Sequence, residues 1–592
     1  MRCWLSQVRT NMFEKVLIAN RGEIAIRVIR ACRDRQITTV AIYSDADRDA
    51  PHVELADAAF RVGPARAAES YLAIDHIIAV AEDAGVDAVH PGYGFLAENP
   101  TFAQAVIDAG MTWIGPPPGA MRQLGDKTAA RTLMADAGVP VIPGSEEPIT
   151  DVDAVHAFAE THGYPVAIKA AGGGGGRGMK IVEAPDAAGE KLDAAIREAT
   201  AYFDDPRVYL ERFIEHPRHV EIQVIADAHG GAVHLGERDC TLQRRHQKLI
   251  EEAPSPMVDS ELRAAMGEAA IAGVTAAGYE SVGTVEFLLT DETFYFMEVN
   301  TRIQVEHPVT ELVCGVDLVD LQLEVAAGAP LQLSQDDIEM DGHAMEFRIN
   351  TEDARADFQP TTGVIHRYDP PRGMGVRVDD GVTADMTVGG EYDSMIGKLI
   401  VTGTDRHHCL ARAERALEEY TIEGVQTIIP FHQAIIRDER FRTGAYHTRF
   451  VDETLDVPDL LGDADVTVRG VDGQDTDPIS YTVEVDGRRF AVDVHGATQP
   501  PHRGGPEAPP SLSGTTGGPS LGDAAVTAEM QGTILALSVT EGDAVRRGDV
   551  LCVLEAMKME NEVTASTDGT VTAVAVDVGD QVDAGDPLVQ IE

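Results

Sequence analysis

The sequence predicts a chain of several α/β domains that ends in a small all-β module, and three observations support this fold class. The chain has 592 residues, which is too long for one hydrophobic core and suits roughly three to four domains. Apolar strand-like runs alternate with helical periodicity from residue 13 to about residue 455, a pattern typical of α/β domains. The last part of the chain contains two similar halves rich in β-branched residues, which indicates a small barrel or sandwich.

The charge and the cysteines exclude several classes of partner and site. The net charge of −50 opposes binding to nucleic acid or to anionic membranes, because both attract basic surfaces. The sequence contains no run of about 18 apolar residues, so it predicts no membrane span. The six cysteines are scattered and form no CxxC pair, so we expect a reduced, cytoplasmic chain with neither a disulfide framework nor a zinc site. The acidic, lysine-poor balance is typical of halophilic archaea, and we expect a halophilic protein that loses activity in dilute buffer.

The first predicted unit follows Met12. Residues 1–11 lack the apolar region of a signal peptide, so they are an extension or a misassigned start, with Met12 as the alternative to Met1. Residues 13–43 predict strand, helix and strand. Such a unit could bind a dinucleotide with Asp45 at the ribose, but only Gly22 stands where a phosphate-binding loop needs three glycines, which favours a structural role.

The C-terminal part changes character at residue 456. Residues 456–496 are polar and turn-rich and contain a predicted hairpin with Asp486 and Gly487 in a type I′ turn. Residues 497–523 have the composition of a flexible linker. In the module that follows, 524–592, the segment beginning at Gly532 is repeated by the segment beginning at Gly569, so we expect two halves related by a quasi-twofold axis.

Lys558 lies where these two halves join, in the segment AMKM. The chain contains 8 lysines, and such scarcity suggests that many of them have a chemical role. A solvated turn lysine is the simpler interpretation. The flanking methionines and the symmetric position favour a modified lysine at a hairpin tip, delivered by the linker to a nearby site at high effective concentration.

Two further segments predict a nucleotide site. Lys169 ends a strand and is followed by the glycines 172–176, which suit a hairpin lid over phosphates rather than a Walker loop, because no G-K-[ST] follows. Two strands around the turn TDET place Glu286 opposite Glu298, with Asn300 on the same face by strand parity. Glu, Glu and Asn form a hard oxygen set suited to Mg²⁺, although two solvated glutamates are an alternative. If the same strand alternation continues, Arg302, Gln304 and Glu306 also lie on this face. They form a set suited to binding and deprotonating an anion.

Together these residues resemble biotin carboxylase, an ATP-grasp enzyme, from about residue 12 to 455. The motifs that carry the resemblance are IANRGEIAIRVIRA, HPGYGFLAEN, GDK, GGGGGRGM, HPRHVEIQV, ERDCTLQRRHQK, MEVNTRIQVEHPVTE and EYDSMIGKLIV. The segment AMKM resembles biotinyl carrier domains; lipoyl domains are similar but usually have Asp-Lys-Ala at this turn. The domain order resembles the α subunits of acetyl-CoA and propionyl-CoA carboxylases.

The resemblance implies an α/β biotin carboxylase N-terminal domain at 12–126 and an ATP-grasp domain at 127–345 with a mobile lid at about 141–213. The domains that follow are a C-terminal domain at 346–455, a connector at 456–496, the linker at 497–523 and an all-β biotinyl carrier domain at 524–592.

It also implies a role for each site residue. ATP would be held by Lys127, Lys169, Gly175, Gly176, Glu211, Arg212, Phe213, Ile214, His219, Gln243 and His246. At Arg212 many relatives have lysine, but the adenine contacts expected there come from the backbone. Glu286, Glu298 and Asn300 would hold Mg²⁺ or Mn²⁺. Bicarbonate would be surrounded by Lys248, Arg302, Gln304, Val305 and Glu306, and Arg348 would face biotin; the catalytic residues would be Lys248, Arg302, Glu306 and Arg348.

The implied reaction is ATP- and bicarbonate-dependent carboxylation of biotin on Lys558, with carboxyphosphate as the intermediate. Expected partners are a biotin protein ligase, a second copy of the chain and a separate carboxyltransferase β subunit, since no room for that activity follows the carrier; the connector 456–496 is a candidate docking segment. The expected acceptor is acetyl-CoA or propionyl-CoA, ahead of methylcrotonyl-CoA or pyruvate. Two alternatives are a carrier with an inactive ATP-grasp half and a different ATP-grasp ligase, such as a carbamoyl phosphate or purine enzyme.

Overall fold

The structure is a computed structural model. It describes residues 12–145, 147–170, 179–203, 205–291, 293–462, 479–485, 488–494, 525–528, 532–556, 559–582 and 585–591. In this part of the chain no helix combines the length and the apolar character needed to cross a membrane.

The N-terminal domain is a parallel sheet with helices on both faces. The strands are β1 (Lys15–Ile18), β2 (Thr38–Ser44), β3 (Ala58–Gly63), β4 (Ala88–His90) and β5 (Thr112–Trp113), and the helices are α1 (Gly22–Asp34), α2 (Pro51–Leu55), α3 (Ile74–Ala84), α4 (Pro100–Asp108) and α5 (Pro118–Gly125). The sheet order is β3-β2-β1-β4-β5, and the strands pair in parallel. The strand, helix and strand predicted from residues 13–43 are confirmed. Asp45, which a dinucleotide-binding unit would place at the ribose, forms ion pairs with Arg61 and Arg48.

The lid is a small domain with its own core. It consists of α7 (Val152–His162), β6 (Val166–Ala170), β7 (Met179–Val182), α8 (Ala188–Phe203) and β8 (Val208–Arg212), and it follows α6 (Lys127–Asp136). The three strands form an antiparallel sheet in the order β7-β6-β8, and apolar residues of both helices pack against it. Lys169 pairs with Met179 across β6 and β7, so the expected hairpin is present. The glycines between these strands lie outside the described residues.

An eight-stranded sheet forms the centre of the molecule and joins the ATP-grasp part to the C-terminal part. Its order is β13-β12-β9-β10-β11-β14-β21-β19. The ATP-grasp part supplies β9 (Arg218–Ala226), β10 (Ala232–Arg244), β11 (Gln247–Ala253), β12 (Ser281–Leu289) and β13 (Phe294–Asn300), with α9 (Ser260–Ala276), α10 (His307–Cys314) and α11 (Leu318–Ala326). The C-terminal part supplies β14 (His343–Asn350), β19 (Val376–Asp380) and β21 (Met395–Gly403). Residues from both parts therefore meet on one sheet.

The remaining C-terminal elements surround a second core. They are β15 (Glu352–Asp353), β16 (Gln359–Pro360), β17 (Gly363–Val364), β18 (Arg367–Asp369), β20 (Thr387–Val388), β22 (Thr421–Glu423), α12 (Arg406–Glu419), α13 (Ile429–Ile435), α14 (Glu439–Thr443), α15 (Phe450–Glu453) and α16 (Val457–Leu461). In the connector, β23 (Ile479–Val485) and β24 (Arg488–Val494) form the predicted antiparallel hairpin. Its turn residues, Asp486 and Gly487, lie outside the described residues.

The C-terminal module is a sandwich of two four-stranded sheets. Its strands are β25 (Ala525–Thr527), β26 (Gly532–Leu537), β27 (Ala544–Val545), β28 (Val550–Ala556), β29 (Met559–Thr564), β30 (Gly569–Val574), β31 (Gln581–Val582) and β32 (Pro587–Ile591). The sheets run β29-β28-β26-β31 and β25-β32-β30-β27, so equivalent strands of the two repeats occupy equivalent places. Gly542 and Gly579 have φ values of 96° and 98°, a conformation that favours glycine in both turns. The predicted quasi-twofold symmetry is confirmed.

Candidate active site

The paired carboxylates lie at the edge of the central sheet. Glu286 on β12 is paired with Glu298 on β13, as predicted, although a bulge next to this pair shifts the register toward the turn by one residue. Asn300 donates from Nδ2 to Glu286 Oε1 at 2.8 Å. Glu298 is partly exposed and lies 3.4 Å from the Lys127 ammonium. Two carboxylates and an amide with cations beside them form an oxygen donor set whose chemistry fits Mg²⁺.

Lys248 lies at the centre of a cluster of carboxylates. Its ammonium contacts three carboxylates, Glu306 at 2.5 Å, Glu221 at 2.6 Å and Glu286 at 3.1 Å. Burial opposes the charged form of Lys248, but the surrounding acidic groups outweigh it and raise the pKa of Lys248 well above its usual value. The lysine therefore stays positive and holds residues of β9, β11, β12 and the segment before α10 in one cluster.

Glu306 lies between two cations. Its Oε1 accepts from Lys248 and its Oε2 accepts from Arg348 Nη2 at 3.1 Å. Burial acts to raise the pKa of Glu306, but Lys248, Arg348 and Arg238 outweigh it and hold this pKa well below the usual range. At neutral pH Glu306 is therefore an ionised carboxylate, able to accept a proton.

Arg348 comes from the C-terminal part and completes this side of the site. Its Nε donates to Glu251 Oε1 at 2.7 Å, and Glu251 on β11 is paired across the sheet with Glu346 on β14. Burial raises the pKa of Glu251 to about 7, against the opposing effect of Arg348. Both carboxylate oxygens of Glu346 are buried without a hydrogen-bond partner, and burial raises the pKa of Glu346 well above its usual value.

A buried arginine, Arg238, stabilises the cluster around Lys248, and it was not predicted from the sequence. Arg238 on β10 is fully buried and donates to Glu221 Oε1 at 2.6 Å, to Gln223 Oε1 at 2.5 Å and to the hydroxyls of Thr310 and Thr284. This fork of bonds fixes Glu221, which in turn contacts Lys248. Arg238 belongs to the motif ERDCTLQRRHQK, but it lies between Glu237 and Asp239, and a run of charged residues gives no sign of complete burial.

The segment after β13 corrects one prediction. Strand parity was expected to continue to Glu306, but β13 ends at Asn300. The residues still converge, because the segment folds back on itself. Arg302 donates to Asn300 Oδ1 at 3.1 Å and to Gln304 Oε1 at 2.8 Å, and Gln304 donates to Glu286 Oε1 at 3.3 Å. The parity argument was wrong, but the predicted residues do form one cluster.

Two sets of contacts hold this segment in place, one buried and one at the surface. Lys398 Nζ donates to the Val305 carbonyl at 2.8 Å, and it also lies 3.1 Å from Glu23 Oε1. Glu98 accepts from the Thr301 N–H at 3.0 Å and lies 3.1 Å from Arg302 Nε. Neither Glu98 nor Lys398 was predicted to have a role, although they lie in the motifs HPGYGFLAEN and EYDSMIGKLIV.

Predicted nucleotide-binding residues lie on the lid strands and on β9 to β11. Lys169 on β6 and Arg131 on α6 both pair with Glu211 on β8. His219 Nε2 lies 3.0 Å from Glu286 Oε2, and the His219 Nδ1 atom lies 3.3 Å from Gln243 Nε2. The first set of contacts lies on the lid and α6, and the second extends the Glu286 cluster.

The end of the lid and the β10–β11 turn complete this side. Arg212 ends β8 and donates its N–H to the Pro143 carbonyl at 2.8 Å, and Phe213 donates to the Pro165 carbonyl at 3.2 Å; Ile214 follows in the segment before β9. Arg245 and His246 have φ values of 46° and 66°, so the turn between β10 and β11 is left-handed at both positions. Gly175, Gly176 and Lys558 lie outside the described residues.

Comparisons with known proteins identify the domains of the chain. Residues 12–121 match the biotin carboxylase N-terminal domain, and residues 126–334 match the ATP binding domain of the carbamoyl-phosphate synthase L chain. Residues 346–453 match the biotin carboxylase C-terminal domain. Residues 522–591 match the biotin-requiring enzyme domain.

A biotin-dependent acyl-coenzyme A carboxylase alpha3 subunit from Mycobacterium leprae is 48% identical over 564 residues, which cover 93% of this chain and 94% of the relative. This chain belongs to the biotin carboxylase family. A pyruvate carboxylase subunit from Methanothermobacter thermautotrophicus is 52% identical over 75% of this chain and 90% of the relative. Among solved structures, the biotin carboxylase domain of Hydrogenobacter thermophilus 2-oxoglutarate carboxylase, in complex with MgADP, ADP and bicarbonate, superimposes with a TM-score of 0.70 at 44% identity, covering 76% of this chain and 99% of that chain.

The family assignment settles the fold class. The chain contains the N-terminal, ATP-grasp and C-terminal domains of a biotin carboxylase, followed by a biotin-requiring domain, as predicted. The relatives also leave the acceptor open, because subunits of an acyl-CoA carboxylase and of a pyruvate carboxylase both match at about half identity. A halophilic origin stays a prediction.

Proposed function

We propose that this chain carboxylates biotin attached to Lys558, using ATP and bicarbonate, and supplies carboxybiotin to a separate carboxyltransferase β subunit. The observation that carries the proposal is the position of Glu306, an ionised carboxylate held between Lys248 and Arg348 beside an oxygen-rich strand pair. Such an arrangement can bind an anion and take a proton from it. Bicarbonate must be both bound and deprotonated before it can attack ATP.

Glu306 is the proposed base. Lys248, Arg302 and the Gln304 side chain offer donors for the bicarbonate oxygens. When an anion enters, it competes with Glu306 for Lys248 and Arg348, which together with Arg238 keep the carboxylate ionised. The pKa of Glu306 then rises, because its stabilising charges are shared, and the carboxylate becomes a better proton acceptor as the reaction begins.

The nucleotide is proposed to lie between the lid and the Glu286 cluster. Lys127 and Lys169 would neutralise phosphate charge, and Glu211, His219, Gln243 and His246 would position the nucleotide together with the backbone of Arg212, Phe213 and Ile214. Glu286, Glu298 and Asn300 are the residues that would hold Mg²⁺ or Mn²⁺. The bound cation would supply charge neutralisation for the transferred phosphoryl group.

Arg348 is proposed to act on the biotin side. Biotin, when attached, supplies the nitrogen that receives the carboxyl group. Arg348 stays positive over the whole working pH range, because Glu251 and Glu306 outweigh the effect of burial and raise its pKa. A fixed guanidinium at this place stabilises the negative charge that develops when that nitrogen loses its proton.

The acceptor we propose is acetyl-CoA or propionyl-CoA. The support is the Mycobacterium leprae relative, whose name is that of an acyl-coenzyme A carboxylase and which aligns over 93% of this chain. Pyruvate is the second candidate, because the Methanothermobacter relative has the name of a pyruvate carboxylase and is 52% identical over 75% of this chain.

The test uses the complex purified with its native partner in molar KCl. Mass spectrometry checks biotin on Lys558, and bicarbonate- and ATP-dependent carboxylation is followed with acetyl-CoA, propionyl-CoA, methylcrotonyl-CoA and pyruvate in parallel. We expect turnover with an acyl-CoA and none in a Lys558→Arg variant, which keeps the charge but cannot be biotinylated. Turnover with pyruvate alone would favour the second candidate. Absence of biotin on Lys558 would refute the proposed reaction.

A further inference from the structure

Two histidines and a glutamate gather where the lid rejoins the central sheet, outside the site described above. β8 ends at Arg212 and β9 begins at Arg218, so His216 lies in the hinge between them. Its Nε2 atom lies 3.5 Å from Glu453 Oε2, and the ring centroids of His216 and His447 are 4.1 Å apart. Ligand atoms from all three side chains lie within 4.8 Å of one another.

Buried contacts fix the backbone on both sides of this cluster. The Thr448 N–H, next to His447, donates to the carbonyl of Pro217, next to His216, at 3.0 Å. Arg218 is buried and donates to the Gly444 and Tyr446 carbonyls at 2.7 Å and 2.9 Å. The two histidines therefore face each other on anchored segments, and their proximity does not depend on long flexible side chains.

The hinge backbone at His216 is also unusual. Its φ of 49° is left-handed, a conformation that is uncommon outside glycine and that asparagine, aspartate and histidine adopt more often than other residues. This conformation turns the imidazole toward α15 and the segment before it.

The three side chains keep ligand atoms available. The His447 ring is partly exposed, and its Nδ1 atom makes one hydrogen bond, to its own segment. The hydrogen bond that its Nδ1 accepts from the Arg449 N–H is long, at 3.3 Å, and is easily replaced. Arg449 pairs with Oε1 of Glu453, which leaves Oε2 facing His216.

We propose that His216, His447 and Glu453 bind a divalent transition metal ion of the Zn²⁺ type and that the bound ion ties the lid hinge to α15. Two imidazoles and one carboxylate are ligands that Zn²⁺ commonly takes at sites with an open position, which water would fill. Mg²⁺ prefers oxygen ligands, so the two kinds of ion are directed to different places in this chain. The sequence-based exclusion of a zinc site rested on cysteines and does not extend to a histidine site.

A bound ion would connect two functional regions. The neighbouring residue on α15, Asp452, accepts from the Arg245 N–H at 3.1 Å, in the turn that positions His246. Arg449, at the start of α15, lies over the Phe213 ring at the end of the lid, 5.3 Å from its centroid. An ion held by His216 and Glu453 therefore restrains the hinge against a helix that also contacts the nucleotide-side turn.

The test measures binding directly, so it does not depend on the proposed reaction. The full-length chain is freed of metal with a chelator and titrated with Co²⁺ in excess Mg²⁺, and the visible absorption of Co²⁺ reports ligation by imidazole. The variants are His216→Asn, which tolerates the left-handed backbone, and His447→Ala. The matched control is His407→Ala, which removes an exposed histidine on α12, distant in sequence from all three proposed ligands.

We expect the unchanged protein and His407→Ala to bind one equivalent of Co²⁺, displaced by Zn²⁺. Loss of an outer-sphere partner alone weakens metal sites by roughly 10–100-fold, so loss of a ligand in His216→Asn or His447→Ala should weaken binding by at least about 100-fold. Far-UV circular dichroism checks that the variants are folded. The proposal is overturned if the unchanged protein shows no imidazole-type Co²⁺ spectrum, or if either variant binds Co²⁺ as tightly as His407→Ala.

Discussion

Replacing Lys248 with glutamine tests how the site keeps its base ionised. The substitution removes the ammonium that contacts Glu221, Glu286 and Glu306 at 2.5–3.1 Å. Glutamine keeps most of the side-chain length, so the cavity left behind is small. The main change is the loss of one positive charge from a cluster of buried carboxylates.

The magnitude follows from these contacts. At an effective dielectric of about 20, unit charges about 3 Å apart interact by roughly 5 kcal/mol, and the desolvation of the buried groups offsets most of this attraction. Removing one partner from a buried ion pair typically costs a net of about 3–5 kcal/mol. A lost electrostatic donor at a reacting anion lowers kcat by about 10²–10³-fold, and we expect a loss of that size in bicarbonate-dependent ATP cleavage.

The pH dependence distinguishes this explanation from a general loss of structure. Glu306 has its pKa held low by Lys248 first, with Arg348 and Arg238, against burial. Without Lys248 its pKa rises, so the residual rate should increase with pH, by up to tenfold per pH unit below the new pKa. The unchanged protein should lack this dependence on Glu306.

The assay is steady-state ADP formation with free biotin, measured from pH 6 to 9. Lys180→Gln is the matched control, because Lys180 makes an ion pair with Glu198 at 2.5 Å on the lid surface. It should retain the rate and the pH profile of the unchanged protein. A Lys248→Gln variant whose residual rate has the same pH profile as the unchanged protein would refute the reasoning.

Three further predictions follow from single contacts. Arg348→Ala should lower biotin carboxylation by about 10²–10³-fold while nucleotide binding, measured by calorimetry, stays within about threefold; persistent carboxylation would remove Arg348 from the mechanism. Glu298→Gln should raise the Mg²⁺ concentration for half-maximal activity by at least about tenfold, because a charged ligand is lost, and an unchanged Mg²⁺ dependence would exclude Glu298 as a ligand. Glu252 is buried, and although burial acts to raise its pKa, His343 and Arg406 lower it to about 2, below the value of about 4.3 for an unfolded chain. It therefore contributes about 3 kcal/mol above pH 4.3, and this is lost as the pH falls toward 2. Glu252→Gln should consequently lower Tm at pH 7 and have a shrinking effect toward pH 3, and a Tm difference independent of pH would contradict the assignment.

Local sequence determined the features that depend on neighbouring residues in the chain. The pairing of Glu286 with Glu298 was predictable because both lie on strands joined by one short turn. The symmetry of the C-terminal module was predictable because each repeat carries its own turns and strands. The family of the chain could be inferred for a related reason, since the motifs that identify it are short runs of neighbouring residues.

The residues that surround Lys248 were decided by the tertiary structure. In β9, polar His219, Glu221 and Gln223 alternate with apolar residues, a pattern that normally predicts one face in water. Yet every residue of β9 is buried, because Arg238, Lys248 and Glu286 of nearby strands contact its polar side chains. Arg238 and Glu251 were missed because each lies beside another charged residue in the chain, a pattern that does not indicate burial.

The sequence by itself thus determined the family and the domain order, and it predicted many of the residues that cluster around Lys248. Only the tertiary structure decided which charged groups meet, since Lys248 and Glu306 are 58 positions apart and Arg348 belongs to another part of the chain. It alone also placed His216 beside His447 and Glu453. Alternation of polar and apolar residues reports which face of a strand is polar, whereas the packing of distant elements decides whether that face meets water or a buried site.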